Sequence, residues 1–138
     1  MIFRKMTQED IKKVAGNSMS RGILHKQPAA IEFDYCLEHE GKILAVGGFR
    51  LINETTAWAW LDMTNHAKDH LIGVYRVTKE WMRTLTEELG VKRLQAYVEA
   101  DFVEGIRLIQ HLGFHFEYTM HNFVGNKPAC MYVKFYGD

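Results

Sequence analysis

Cysteine and proline are scarce, with two of each in 138 residues. Cys36 and Cys130 fall in stretches that read as strands and lack the paired spacing of metal ligands, so reduced core thiols are expected and no metal site. Charge of one sign is missing as well. Seventeen basic and seventeen acidic residues cancel, which removes any global field drawing the chain to nucleic acid or a membrane surface. No apolar run approaches the roughly 20 residues that cross a bilayer. The first residues reach Glu9-Asp10 before any signal-type apolar core can form, so a cytoplasmic protein is expected. What is present is 47% apolar and 25% charged residues. That is the composition of a globular chain, and the length suits a single domain over 1–138.

Ile2 to Met6 reads as a short strand. Thr7, with Asp10 three residues on, is a capping-box start for a helix from about Gln8 to Ser20, with Ile11, Val14, Ala15 and Met19 on one face. Arg21 to Ile31 reads as a short helix or an irregular loop, since Pro28 stops any helix there. Phe33 to His39 and Ile43 to Leu51 form a hairpin around a polar Glu-Gly-Lys turn, and the second strand carries Gly47-Gly48. After Asn53-Glu54-Thr55, the stretch Thr56 to Met63 is a third strand. Its Ala57 and Ala59 alternate with Trp58 and Trp60, giving one thin face and one bulky face.

From Asp69 to Leu89 the period turns helical through Leu71, Val74, Tyr75, Thr78, Trp81, Met82, Leu85 and Leu89, and Gly90 supplies the stop. Val91 to Glu99 is a strand with Leu94, Ala96 and Val98 on one face. Val103 to Leu112 is a helix capped by Gly113. Phe114 to Val124 and Ala129 to Tyr136 close the chain as a hairpin joined by Gly125-Asn126-Lys127-Pro128. Arg4-Lys5, Lys12-Lys13 and Lys92-Arg93 read as solvated charges. His66 and His70, four apart, have helical metal-ligand spacing but no third ligand.

This order of elements, punctuated by Gly47-Gly48, Gly90 and Gly113-Phe114, resembles the GNAT superfamily of acyl-CoA-dependent N-acyltransferases along nearly the whole chain. The resemblance implies an α/β fold: a mixed, mostly antiparallel central sheet, splayed between its fourth and fifth strands, with helices on both faces. It also implies acetyl-CoA as co-substrate and a primary amine, on a small molecule or a protein, as acceptor. Arg21 to Asp34 and the closing hairpin would contact that acceptor.

In that family the pyrophosphate rests on backbone N–H groups of a glycine-rich loop opening the helix after the third meander strand, where unpaired donors and partial positive charge favour an anion. Here the position is Thr64 to Gly73. The resemblance assigns cofactor contacts to His66, Lys68, Asp69, His70, Leu71 and Gly73, with the pyrophosphate at the backbone of Ala67 to Leu71. The chain departs from the family signature, since Gly73 stands alone and Asp69 is acidic. The alternative reading is a solvated loop with Asp69 as helix N-cap.

The thioester would be gripped by the main chain around Leu61 and Met63. Asp62 between them is the first candidate base for an incoming ammonium, and Glu99 is the second. A strand-end Asp that is exposed or caps a turn is the plain alternative. Relatives place a general-acid tyrosine four residues before the Gly of Gly-Phe. Here that residue is Ile109, with Gly105 on the family's small residue and Phe102 on its Asn, which leaves Tyr118, His111 or water as proton donor. In its size, loop and closing hairpin the chain also resembles short, degenerate members found in tailed bacteriophages. That branch implies a structural or binding protein of reduced activity, with virion proteins or a second copy as partners and the host cytoplasm or the virion as location.

Overall fold

A computed structural model of the chain describes residues 1–17 and 34–137. In chain order the elements are β1 (Ile2–Lys5), α1 (Gln8–Ala15), β2 (Asp34–His39), β3 (Lys42–Leu51), β4 (Thr56–Met63), a 3-10 turn (Asn65–Asp69), α2 (Leu71–Leu89), β5 (Arg93–Glu99), α3 (Val103–His111), β6 (His115–Val124) and β7 (Lys127–Phe135). The fold is α/β, with seven strands in mixed, mostly antiparallel pairing. Two compact units divide the chain: Met1–Phe49 with Trp60–Val77, and Arg50–Ala59 with Thr78–Asp138.

In the first unit the strands run in the order β1-β2-β3-β4, with β1 and β3 antiparallel to β2. The β2–β3 turn pairs His39 with Lys42 and holds Glu40 and Gly41 at φ 51° and 77°. Two left-handed residues give the twist a two-residue hairpin needs. The capping box forms as the sequence indicates: Asp10 accepts the Thr7 N–H at 2.8 Å, and the Thr7 side chain accepts the Asp10 N–H. The helix ends at Ala15 with Gly16 as its cap, where the Asn17 N–H turns back to the Val14 carbonyl at 2.9 Å; the last part of the expected span, up to Ser20, lies outside the described residues. Met19, the Arg21 to Ile31 segment and Phe33 lie outside the described residues. Val14 is buried with Cys36, Ile43 and Val46, and Met6 and Trp60 pack against them.

Arg4 is not the solvated charge the sequence suggested. Its guanidinium binds Asp10 through two bonds, at 2.7 and 2.9 Å, and Glu38 through a third at 3.1 Å. Asp10 is buried, and the guanidinium holds its carboxyl down to about 2. Burial pushes the Cys36 thiol up to about 11, a protonated core group.

Gly47-Gly48 also gains a specific reason. Asp34 pairs with Gly48 across the β2–β3 ladder, and the Trp60 indole N–H donates to its Oδ1 at 3.3 Å. A Cβ on Gly48 would stand 1.9 Å from that oxygen and 2.7 Å from the indole nitrogen.

In the second unit the order is β4-β5-β7-β6. The start of β4 runs parallel to β5 through Thr56↔Arg93, Ala57↔Leu94 and Trp58↔Gln95, while β7 is antiparallel to both β5 and β6. Ala57, Leu94, Ala96, Leu112, Phe114 and Met131 are among its buried core. Both helix-ending glycines sit in Schellman motifs. After α2, the Gly90 N–H reaches Glu87 O and the Val91 N–H reaches Thr86 O; after α3, Gly113 reaches Gln110 O and Phe114 reaches Ile109 O. Gly90 and Gly113 have φ 70° and 94°, the left-handed turn that favours glycine.

The closing turn is tighter than expected. Val124 pairs with Lys127, so Gly125-Asn126 alone make the turn and Lys127-Pro128 belong to β7. Arg93, expected to be solvated, is instead fixed: it donates to Gln95 at 2.7 Å and to Glu117 at 3.0 Å.

Candidate functional site

The segment that should hold a pyrophosphate lies wholly in the first unit. It starts at the buried end of β4, where Asp62 is 3% exposed and Met63 and Thr64 are also buried. The Thr64 N–H donates to Leu44 O at 3.0 Å, its hydroxyl donates to Ile43 O at 2.6 Å, and the same oxygen accepts the His66 N–H at 3.2 Å. One threonine therefore ties β3, the strand end and the 3-10 turn together. The Asn65 amide adds a second tie by donating to Asn17 Oδ1 at 2.7 Å, just past α1.

The turn uses up two of the expected anion donors. The Ala67 N–H goes to Thr64 O at 3.0 Å and the His70 N–H to Ala67 O at 2.8 Å. Helix α2 then opens at Leu71, and the Val74 N–H closes on His70 O at 3.0 Å. His70, not Asp69, therefore takes the N-cap position, and the helix's first-turn N–H groups are those of Leu71, Ile72 and Gly73.

His66, Lys68 and Asp69 are exposed around this opening, as is Leu71, although its periodicity had placed Leu71 among the inward residues. The His70 ring meets His39 edge-on at 4.8 Å. The change from 3-10 turn to α-helix at His70 also breaks the single-helix spacing with His66. Among the described residues no group of three or more His, Cys, Asp or Glu gathers for a metal. Gly73 lies against the Met1 side chain, and Leu61 is half-buried on β4 beside Gly47.

Glu99 and Tyr118 belong to the second unit, separately from Asp62. Glu99 is 6% exposed at the end of β5, and its carbonyl accepts the Phe102 N–H at 3.0 Å, opening the turn into α3. Tyr118 is exposed on β6, opposite Met131 of β7, while Glu99 faces Ala129. The two candidates thus sit in different rows with a strand between them. Ile109, where the family's tyrosine would stand, is buried, and His111 is exposed. Gly105 is explained by packing: a Cβ there would meet the Phe102 ring at 2.7 Å and Val98 Cγ1 at 3.0 Å.

Residues that sequence reasoning did not single out include Thr64, Asn17, His39 and Tyr97. Tyr97 lies two residues before Glu99, edge-on to Trp58 at 6.2 Å and to Phe123 at 4.7 Å. Its phenol is pushed up by burial and then by the Glu99 charge. The one local signal was Asn122, a residue type that tolerates the left-handed φ of 52° it adopts beside Phe123.

No family's sequence profile matches the chain, and no curated protein matches it in sequence. Solved structures do resemble it. Ard1 from Thermoplasma volcanium superposes with a TM-score of 0.79 at 15% identity, over 99% of this chain and 98% of that one. A GNAT-family acetyltransferase from Bacillus anthracis gives 0.70 at 13% identity, covering 96% and 93%. A mutant of the spermidine N-acetyltransferase SpeG from Vibrio cholerae gives 0.72 at 9%, covering 98% and 95%. At identities this low the likeness shows the fold alone, which is that of GNAT acetyltransferases.

Proposed function

We propose that the chain is an acyl-CoA-dependent N-acyltransferase, one domain over 1–138, that moves an acetyl group from acetyl-CoA to a primary amine. The observation that carries this reading is the opening of α2. Its first turn follows a 3-10 turn anchored by Thr64 to the carbonyls of Ile43 and Leu44, with exposed Leu71 and Ile72 and an exposed Lys68 beside it. First-turn N–H groups, helix-end partial charge and a lysine suit a diphosphate. The residues that would hold it are Lys68 and the backbone of Leu71 to Gly73, with His66 and His70 adjacent and Asp69 opposing. Acetyl-CoA, when bound, supplies the activated acyl group.

The chain's own part is to orient and to move protons. The main chain at Leu61 and Met63 orients the thioester in this reading. Asp62, buried between them in the sequence of β4, accepts the proton that the acceptor ammonium must lose before its nitrogen lone pair can attack. Glu99 is the alternative base, and Tyr118 is the proton donor that replaces the missing tyrosine at Ile109. Spermidine, the acceptor in the name of one similar structure, is an amine. Among the described residues no helix is long and apolar enough to cross a membrane, and we place the activity in the cytoplasm.

The buried Ile109 favours a second reading: a GNAT-fold structural or binding protein, of the bacteriophage kind, in which catalysis has been lost. Acetyl transfer to a panel of primary amines separates the two. The enzyme reading expects transfer that Asp62→Asn lowers by about 10²-fold or more while CoA affinity is kept, since the amide keeps the shape but cannot take the proton. Turnover indifferent to Asp62→Asn moves the base to Glu99. No transfer to any amine, with no CoA binding, establishes the structural reading.

A further inference from the structure

Strand β6 is the outer strand of the second unit. Among the described residues it pairs with β7 alone, so one row of its backbone N–H and C=O groups has no strand beside it. Eight of its ten residues are exposed and none is buried, although a strand in a half-covered sheet hides every second side chain. The exposed ones include Phe116, Tyr118 and Phe123, at 55, 48 and 43%. Open edges are usually blunted by shortness, charge or proline. The outer strand of the first unit, β1, has four residues and ends on an exposed lysine, Lys5. By contrast β6 carries no lysine, arginine or proline. Its single carboxylate, Glu117, is already held by Arg93 of the same chain at 3.0 Å.

The pairing with β7 singles out the middle of the strand. It shifts register between Phe116 and Tyr118 and again between Met120 and Val124, and runs regularly through Tyr118↔Met131, Thr119↔Cys130 and Met120↔Ala129. Thr119 is the centre of that regular stretch. An identical antiparallel strand, related by a two-fold axis at Thr119, sets Tyr118 against Met120 of the second copy, twice, as an aromatic–thioether pair. The same axis sets Glu117 against His121 of the second copy, also twice, so that carboxylate meets imidazole. Other registers are poorer. An axis at Glu117 would oppose the two carboxylates, and one at Tyr118 would oppose His115 to His121.

We infer that β6 joins the β6 of a second copy of this chain, antiparallel and centred on Thr119, and that the protein is a two-fold dimer with one sheet continuing across the contact. The occupant is a second copy because the strand is its own complement: its one carboxylate finds its match four residues along the same sequence, and its aromatic residue finds a thioether. The contact uses backbone groups, apolar side chains and the Glu117–His121 pair, not the Tyr118 hydroxyl. It needs no ligand and does not depend on the acyltransfer reading.

Sedimentation equilibrium of the full chain from about 1 to about 200 µM, the range of weak association, tests it. The mass is expected to rise with concentration from one chain toward two. Thr119→Lys and Thr119→Glu each put like charges face to face at the axis, and each should weaken the dimer about tenfold or more. An equimolar mixture of the two variants should regain it, since lysine then meets glutamate. His121→Glu should weaken the dimer about tenfold, and His121→Lys should leave it within threefold of native. Thr119 and His121 are exposed, and melting curves of the variants verify that they fold. A native chain that stays monomeric at about 200 µM overturns the inference and leaves the edge to an extended segment of another protein. Association within twofold of native in both Thr119 variants or in His121→Glu overturns it as well, and so does a mixture that does not regain the dimer.

Discussion

Replacing Gly48 by alanine puts the explanation of the Gly47-Gly48 pair at risk. The new Cβ would stand 1.9 Å from Asp34 Oδ1 and 2.7 Å from Trp60 Nε1, well inside any van der Waals separation. Asp34 is 0% exposed, so its carboxylate cannot swing into water. It must shift within a packed interior and lose the 3.3 Å bond from Trp60. Overpacking of this kind costs about 1–3 kcal/mol, and weakening the hydrogen bonding of a buried charge adds roughly 1–3 kcal/mol. The expected total is about 2–6 kcal/mol, a large part of the ~5–15 kcal/mol that holds a domain together. Gly16→Ala is the control, because its nearest atoms among the described residues are 4.0 Å away and it should be neutral or stabilising by about 0.5 kcal/mol. Urea unfolding followed by tryptophan fluorescence reads both. A Gly48→Ala midpoint matching the native one would refute the packing argument, because no native contact could then depend on the missing Cβ.

The Arg4–Asp10 pair predicts a pH dependence with a definite sign. The Arg4 guanidinium draws the Asp10 carboxyl down to about 2 from its ordinary 3.8. Its contribution is therefore complete above pH 3.8 and is lost as the pH falls through about 2. Arg4→Met should cost about 1–2 kcal/mol at pH 7, allowing for screening of a partly exposed guanidinium. That deficit should shrink at pH 3, and an equal deficit at both, read from urea midpoints, would contradict it. The Tyr136 hydroxyl is buried with no hydrogen-bond partner among the described residues, and burial pushes it up to about 12. Tyr136→Phe should therefore be neutral or raise the melting temperature, and a loss above about 1 kcal/mol would show that the hydroxyl has a partner.

Much of the fold was legible because it is written in local signals. The period of α2, the Thr7 to Asp10 capping box and the two helix-ending glycines each set an element by contacts within a few residues. The end of the closing turn was missed for a local reason: Val124 and Lys127 can pair directly, so the proline sits in a strand. Other misses were long-range. Arg4 looked solvated because Glu38, one of its partners, is 34 residues away. The Asn65–Asn17 side-chain hydrogen bond spans 48 residues, and the His39–His70 contact joins a hairpin to a helix opening. For the candidate site, sequence order located the helix opening after β4. The donors were displaced from Ala67–Leu71 to Leu71–Gly73 by hydrogen bonds internal to the 3-10 turn, which no residue pattern announced.

The central claim, that the opening of α2 receives the diphosphate of an acyl-CoA, is tested most directly by calorimetric titration with acetyl-CoA at two salt concentrations. The account predicts saturable one-to-one binding that weakens with salt, and in Lys68→Ala weaker binding with a smaller salt dependence. Binding unaffected by Lys68→Ala would move the phosphates elsewhere, and no binding at millimolar acetyl-CoA would contradict the account.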